Sequence, residues 1–113
     1  MKYTEVLQII EDRLGDNYND NDDEVLESIV KEVINLASYI SNREINTNSE
    51  NDVKDENLLI LSHEIINASI VAYQKRGVES VKSQSELGQS NTFVDYTEKL
   101  RNDIIKNGKR IIL

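Results

Sequence analysis

The 113-residue sequence contains no cysteine and only one histidine. The lack of cysteine excludes a disulfide framework, a thiolate metal site and a cysteine nucleophile, and it is compatible with an intracellular protein. The single histidine, His63, excludes every zinc motif that needs two histidines. We interpret His63 as a helix-surface or interface residue, because no nucleophile, base and orienting group can be assembled around it. We therefore expect no enzyme activity.

Long apolar runs are also missing. No stretch approaches the roughly 18 consecutive apolar residues that would indicate a membrane-spanning helix. The first fifteen residues place acidic side chains among their apolar positions, which is not the pattern of a secretion signal. We expect neither a signal sequence nor a membrane anchor.

Positive charge is scarce in the first half of the chain. Residues 1–56 hold five basic and fifteen acidic side chains, a net charge of −10, whereas residues 57–113 hold eight basic and six acidic ones, a net charge of +2. Affinity for nucleic acid comes largely from lysine and arginine displacing counterions from phosphates. The acidic half would repel phosphates, so direct DNA binding is disfavoured.

Two motifs that could hold a ligand are incomplete. The acidic run at residues 16–24 offers carboxylates at Asp16, Asp20, Asp22 and Glu24. An EF-hand loop needs glycine at its sixth position and glutamate at its twelfth, and neither falls in register, so we interpret the run as a solvated, helix-capping turn. The serine-rich segment at residues 83–90 lacks both the GK[ST] ending and the G-x-G-x-x-G spacing of phosphate-binding loops. We expect no metal and no cofactor.

Apolar periodicity predicts a single all-α domain of about four helices. The predicted helices cover residues 4–14, 23–42, 52 or 55 to 76, and 95–107. The third helix is the most apolar and is the expected centre of the domain. Its predicted end is at Arg76 and Gly77, because cations suit a last turn and glycine suits the left-handed residue after it. Asp95 and Glu98 resemble a capping box that starts the last helix, and Gly108 ends it.

Three segments lack helical periodicity. Residues 43–54 are expected to form an exposed connector that only a partner would order. Residues 78–94 alternate polar and apolar side chains in places, which predicts a long polar loop or a loose β-hairpin with Gly88 at its turn. The tail at residues 107–113 is basic and then wholly apolar, so we expect it to pack against something.

A specific motif lies around the polar ribbon. The sequence AYQKRG at residues 72–77 is followed by SQSELGQS at residues 83–90 and then by Phe93. This order resembles the phage head-tail connector (adaptor) family, in which a long helix ends in a basic residue and glycine. A Ser-x-Ser-Glu-x-Gly-x-Ser ribbon, an aromatic residue and a last helix then follow. Leu87 stands where the family usually has a second glycine.

The resemblance implies a structural role in the virion neck. Proteins of this family form a ring, typically of twelve copies, beneath the portal protein, after assembly in the host cytoplasm. The ring extends the DNA channel, through which DNA passes without specific binding, and docks the stopper or tail-completion protein. On this interpretation the acidic half lines the lumen and the tail inserts into a portal groove. The expected interface residues are Arg76, Gly77, Ser83, Ser85, Glu86, Gly88, Ser90, Phe93, Lys109, Arg110, Ile111, Ile112 and Leu113.

A second interpretation comes from a different class of protein. A small acidic module, such as an antirepressor or a nuclease inhibitor, could use its negative charge to mimic DNA. That interpretation predicts a stable monomer or dimer that sequesters a basic protein. The connector interpretation predicts a weakly associating monomer that assembles on the portal protein.

Overall fold

The computed structural model describes residues 1–45, 53–82 and 91–112, and these residues are all-α. They form five α-helices and two short 3₁₀ turns, with no strand in the described ranges. The helices are α1 (Tyr3–Leu14), α2 (Asp23–Ser41), α3 (Glu56–Ile60), α4 (Ser62–Lys82) and α5 (Asn91–Lys106). The 3₁₀ turns, Gly15–Asn17 and Asp20–Asp22, lie between α1 and α2. The predicted all-α class is confirmed, whereas the predicted number of about four helices and the β-hairpin are not.

Helix α4 is central, because it packs against α1, α2 and α5. In the carboxyl-terminal half of α4, the hydroxyl of Tyr73 donates a hydrogen bond to Asp22 at the start of α2. Near the amino end of α4, Glu64 accepts a hydrogen bond from Asn107, which lies just after α5. Helix α4 therefore runs antiparallel to both α2 and α5.

The core lies between these four helices and is almost entirely aliphatic. Each helix contributes one apolar stripe, as its periodicity predicts. The fully buried aliphatic side chains include Val6 and Ile10 of α1, Val30, Val33 and Ile34 of α2, Ile65 of α4 and Ile104 of α5.

The ends of α1 and α2 follow from the residues placed there. Gly15 after α1 has φ +53°, and Asn42 after α2 has φ +60°, both in the positive-φ range that glycine and asparagine enter most easily. The N–H of Arg43 then donates to the carbonyl of Ser38, which closes the last turn of α2. The predicted limits of both helices agree with the structure to within about a residue.

The predicted third helix is divided in two. Asp55 starts α3 as expected, since its carboxylate accepts hydrogen bonds from the N–H groups of Asn57 and Leu58. Leu61 then leaves helical geometry, with φ −96° and ψ 4°, before α4 begins. The hydroxyl of Ser62 donates to the carbonyl of Leu59 at 2.8 Å, a side-chain bond that competes with the helical ladder.

The predicted limits of the polar ribbon are wrong at both ends. Helix α4 does not stop at Arg76 and Gly77 but continues to Lys82, because a glycine within a helix costs only about 1 kcal/mol and no proline follows it. Helix α5 begins at Asn91 rather than Asp95, since Asn91 and Thr92 are also residues that favour a helix start. The central part of the predicted ribbon, residues 83–90, lies outside the described residues.

The predicted connector at residues 43–54 is ordered where it is described. Arg43 is half-buried, and Ile45 packs against the core. After residues 46–52, which lie outside the described ranges, Asp55 exchanges two main-chain hydrogen bonds with Met1. Residues 43–45 are thus held by contacts within this chain.

Candidate interaction surface

The described part of the tail packs against the end of α2. The N–H of Ile111 donates to the carbonyl of Ser41 at 2.8 Å. The side-chain amide of Asn42 donates to the carbonyl of Ile111, also at 2.8 Å. Ile112 has no such cover and is 91% exposed. The tail is therefore bound to its own chain as far as Ile111, and the side chain of Ile112 is exposed.

A buried carboxylate anchors the start of the tail. Glu64 is only 2% exposed, and its oxygens accept hydrogen bonds from Lys109 Nζ at 2.9 Å and from the Asn107 side-chain amide at 2.7 Å. Burial alone would raise the pKa of Glu64, but the bonds from Lys109 and Asn107 outweigh it and hold that pKa below its ordinary value. Glu64 is therefore charged at neutral pH and paired with Lys109.

Arg43 ties the tail to α3. Its Nε donates to the carbonyl of Lys109 at 2.8 Å, and its Nη1 donates to the side-chain oxygen of Asn57 at 3.2 Å. Asn57 in turn donates to the carbonyl of Glu44. One guanidinium thus joins three segments, which its planar, multi-donor geometry suits.

Most of the exposed aliphatic side chains whose burial the structure describes lie on the elements that meet here. We call this surface the apolar end and define it by α3, the last turn of α5 and residues 109–112. Its exposed side chains are Leu59, Ile60, Ile105, Ile111 and Ile112, with exposures of 37–91%. Aliphatic groups left in water at one end of a small domain indicate a site of protein contact.

The opposite end of the molecule is acidic. Tyr73 donates to a carboxylate oxygen of Asp22 at 2.6 Å and accepts a bond from the N–H of Asn19. Tyr18 donates to Asp23, and the two tyrosine rings lie 5.8 Å apart. Burial and the bond to Asp22 raise the pKa of Tyr73. These bonds hold the 3₁₀ turns against α4.

A pocket of about 310 Å³ opens between α1, the turns and the start of α2. We call it the acidic pocket; it is lined by Leu7, Glu11, Tyr18, Asp23, Leu26 and Glu27. Burial first, and then the neighbouring carboxylates Asp23, Asp12 and Asp20, raise the pKa of Glu11. Among the described residues no salt bridge joins a cation to the carboxylates of the pocket. These carboxylates thus form no close ion pair within the described residues.

The predicted interface residues fall into three groups. Arg76 and Gly77 lie in the carboxyl part of α4, and Phe93 lies in the first turn of α5. Lys109, Arg110, Ile111 and Ile112 lie together at the apolar end. The remaining residues, Ser83, Ser85, Glu86, Gly88, Ser90 and Leu113, lie outside the described residues.

The sequence interpretation missed Glu64 and Arg43. Glu64 follows the helical spacing of the buried residues Leu61, Ala68 and Ala72, so an acid on the apolar stripe was the available signal. Nothing local identified Lys109, 45 residues away, as its partner. The exposed position of His63, whose ring contacts Asn67 one turn on, agrees with the surface role expected for it.

The described side chains bring no three histidine, aspartate or glutamate residues together as a metal site. Of the acidic run, Asp22 is engaged by Tyr73, and Asp16, Asp20 and Glu24 are exposed. None of the described helices combines the length and the apolar character needed to cross a bilayer.

Comparison with known proteins gives no relative. No protein-family model matches the chain, and neither a curated protein nor a solved structure does. What the fold and the surface define is a small all-α protein with an apolar end and an acidic end.

Proposed function

We propose that this chain is a phage head-tail connector that assembles as a ring beneath the portal protein in the virion neck. The structural observation that carries the proposal is the apolar end, where five aliphatic side chains remain exposed beside a basic tail. The resemblance of residues 72–93 to the head-tail connector family is the reason for proposing this family. The role is structural, with protein partners and no catalytic step.

The apolar end supplies the contact that a ring needs. Hydrophobic stabilisation is about 25 cal/mol per Å² of apolar surface removed from water, so several half-exposed aliphatic side chains favour association when copies are concentrated. Such a small surface does not sustain a tight complex of isolated subunits. Copies gathered on a portal ring would meet at high effective concentration and assemble there.

The charge distribution suits a DNA channel. Residues 1–56 carry a net charge of −10, and the carboxylates at residues 16–27 extend this charge over one end of the molecule. If that half faces the lumen, packaged DNA is repelled and slides past the wall. Electron cryomicroscopy of the neck would test this placement, since acidic helices on the outside of the ring would contradict it.

The polar ribbon at residues 83–90 is proposed to contact neighbouring subunits or the next neck protein. Gly88→Val should impair assembly on the portal protein while leaving the helical circular dichroism unchanged. Normal assembly of that variant would make the segment a linker only.

The proposal is tested by size-exclusion chromatography with light scattering, with and without the portal protein encoded by the same phage genome. The expected result is a monomer or weak oligomer alone and a ring-sized assembly with the portal protein. No change in mass on adding the portal protein would contradict a connector.

A second function is favoured by one observation, namely that the carboxylates of the acidic pocket form no close ion pair with a described residue. They suit a DNA-mimicking module that binds a basic protein. The same chromatography separates the two functions, because the module stays a monomer or dimer with the portal protein and forms a complex with a nuclease or repressor instead.

A further inference from the structure

The two ends of the molecule carry complementary chemistry. Residues 14–30 contain six acidic side chains and no lysine or arginine. Residues 106–110 contain Lys106, Lys109 and Arg110 and no acid. Lys106 and Arg110 are exposed, and neither forms a salt bridge with another described residue. A cationic segment followed by the exposed side chain of Ile112 thus lies at one end, and a carboxylate-rimmed pocket lies at the other.

The tail cannot reach the acidic pocket of its own chain. Helix α2 separates the two ends, and its 19 residues span roughly 28 Å at 1.5 Å per residue. Ile111 is bound to Ser41 at the far end of that helix. Ile112 directly follows Ile111, so their Cα atoms are only about 3.8 Å apart. Any contact between Ile112 and the acidic pocket must therefore join two molecules.

We propose that the acidic pocket of one copy receives the carboxyl-terminal segment of a second copy of this chain. This inference rests on the proposed ring, for which it names the subunit contact. Ile112 enters the pocket against Leu7, which is only partly buried, and Arg110 pairs with carboxylates at the pocket rim. It assigns the tail to a neighbouring subunit instead of a portal groove.

The contact joins unlike surfaces, the apolar end of one copy and the acidic end of the next. Such a head-to-tail contact does not close on two copies, so it generates a ring or a filament. It also removes two unfavourable features together, because Ile112 leaves water and the pocket gains a cation. The tail needs no refolding, since its main chain is already fixed as far as Ile111.

Cysteine cross-linking of the purified full chain tests the contact, and the natural absence of cysteine makes the background clean. Ile112→Cys protein is mixed with Leu7→Cys protein at high concentration and treated with a short bismaleimide. The expected product is a dimer containing one copy of each variant. The matched control is Ile112→Cys with Asn35→Cys, because Asn35 is exposed in the middle of α2. Equal yields from the two mixtures, or no dimer from the first, would overturn the proposal.

Charge reversal gives a second readout by sedimentation velocity. Arg110→Glu and Glu11→Arg should each weaken self-association on the order of tenfold, and mixing the two variants should restore it, because the reversed charges meet again in one interface. If the mixture does not regain self-association although both variants keep the native circular dichroism spectrum, the proposed contact is contradicted.

The two proposals fail in different ways. If Ile112→Asp abolishes assembly on the portal protein but no tail-to-pocket cross-link forms, the connector function stands and the tail binds the portal protein. If the cross-link forms but no ring appears with the portal protein, the self-contact stands and the connector function falls. Unimpaired ring assembly by Ile112→Asp rejects the tail-to-pocket contact alone.

Discussion

Glu64 and Lys109, 45 residues apart in the chain, form an ion pair of 2.9 Å that joins the start of α4 to the tail. The carboxylate side chain is 1% exposed and the lysine side chain 28% exposed. Glu64 is therefore shielded from water, whereas Lys109 is partly exposed to it. Loss of the pair would leave a charged group buried, which is costlier than loss of a surface pair.

Lys109→Met should lower the free energy of unfolding by about 1–3 kcal/mol, because the buried carboxylate of Glu64 would lose its cationic partner. The measurement is urea denaturation at pH 7. Lys99→Met is the matched control, since Lys99 is 60% exposed and pairs with Asp103 one turn away. Breaking that pair should cost no more than about 0.5 kcal/mol. An equal loss of unfolding free energy in both variants would mean that the buried pair stabilises the fold no more than the exposed pair does.

The same pair predicts how stability depends on pH. The folded-state pKa of Glu64 lies below its ordinary value of 4.5, so its stabilisation is complete above that value and is lost as the pH falls through the folded-state pKa. Urea denaturation of wild type and Glu64→Gln between pH 7 and pH 3 should show a stability difference that shrinks below about pH 4.5. A difference that stays constant over this range would contradict the lowered pKa.

Tyr73→Phe should destabilise the fold by about 1–2 kcal/mol, because it leaves Asp22 without its hydroxyl donor and Asn19 without its acceptor. The control is Tyr39→Phe, at a ring that is 77% exposed, which should change stability little. Thermal denaturation at neutral pH is the measurement. Since the pKa of Tyr73 is raised, its stabilisation should persist to pH 10 and disappear above it.

Two glycines should respond to alanine in opposite directions. Gly77 lies within α4, so Gly77→Ala should stabilise the protein by about 0.5–1 kcal/mol. Gly108 has φ +68°, so Gly108→Ala should destabilise it by about 1 kcal/mol, although a β-carbon there would meet no atom within 4 Å. Chemical denaturation of both variants measures the signs. Destabilisation by Gly77→Ala would instead indicate that the helix ends at Gly77, as the sequence predicts.

The all-α class and the limits of α1 and α2 could be predicted because the signals for them are local. An apolar stripe of helical period is followed at once by Gly15 in one case and by Asn42 in the other. The same kind of signal misled at Gly77, since glycine after two cations marks a helix end only when the following residues do not continue the helix. Local composition does not decide that question.

The arrangement of the apolar end could not be predicted, because it depends on residues distant in sequence. Arg43, Glu64 and Lys109 come from three separate segments and meet only when α2, α4 and α5 pack. The tail itself was recognisable from its composition. It is bound through the Lys109 side chain and the main chain of Ile111, but the side chains of Ile111 and Ile112 stay exposed. The sequence did not show that the residues that bind the tail, such as Ser41 and Glu64, belong to the same chain.

The bonds that hold the tail also place Met1 and Ile111 on one side of the molecule. Met1 pairs with Asp55 and Ile111 with Ser41, and Arg43 connects these two regions through Asn57 and Lys109. A purification tag or fluorescent protein fused next to Met1 or Ile112 would therefore shield the apolar end and interfere with association through it. A dye on a single introduced cysteine, such as Asn35→Cys on the exposed side of α2, leaves that surface open.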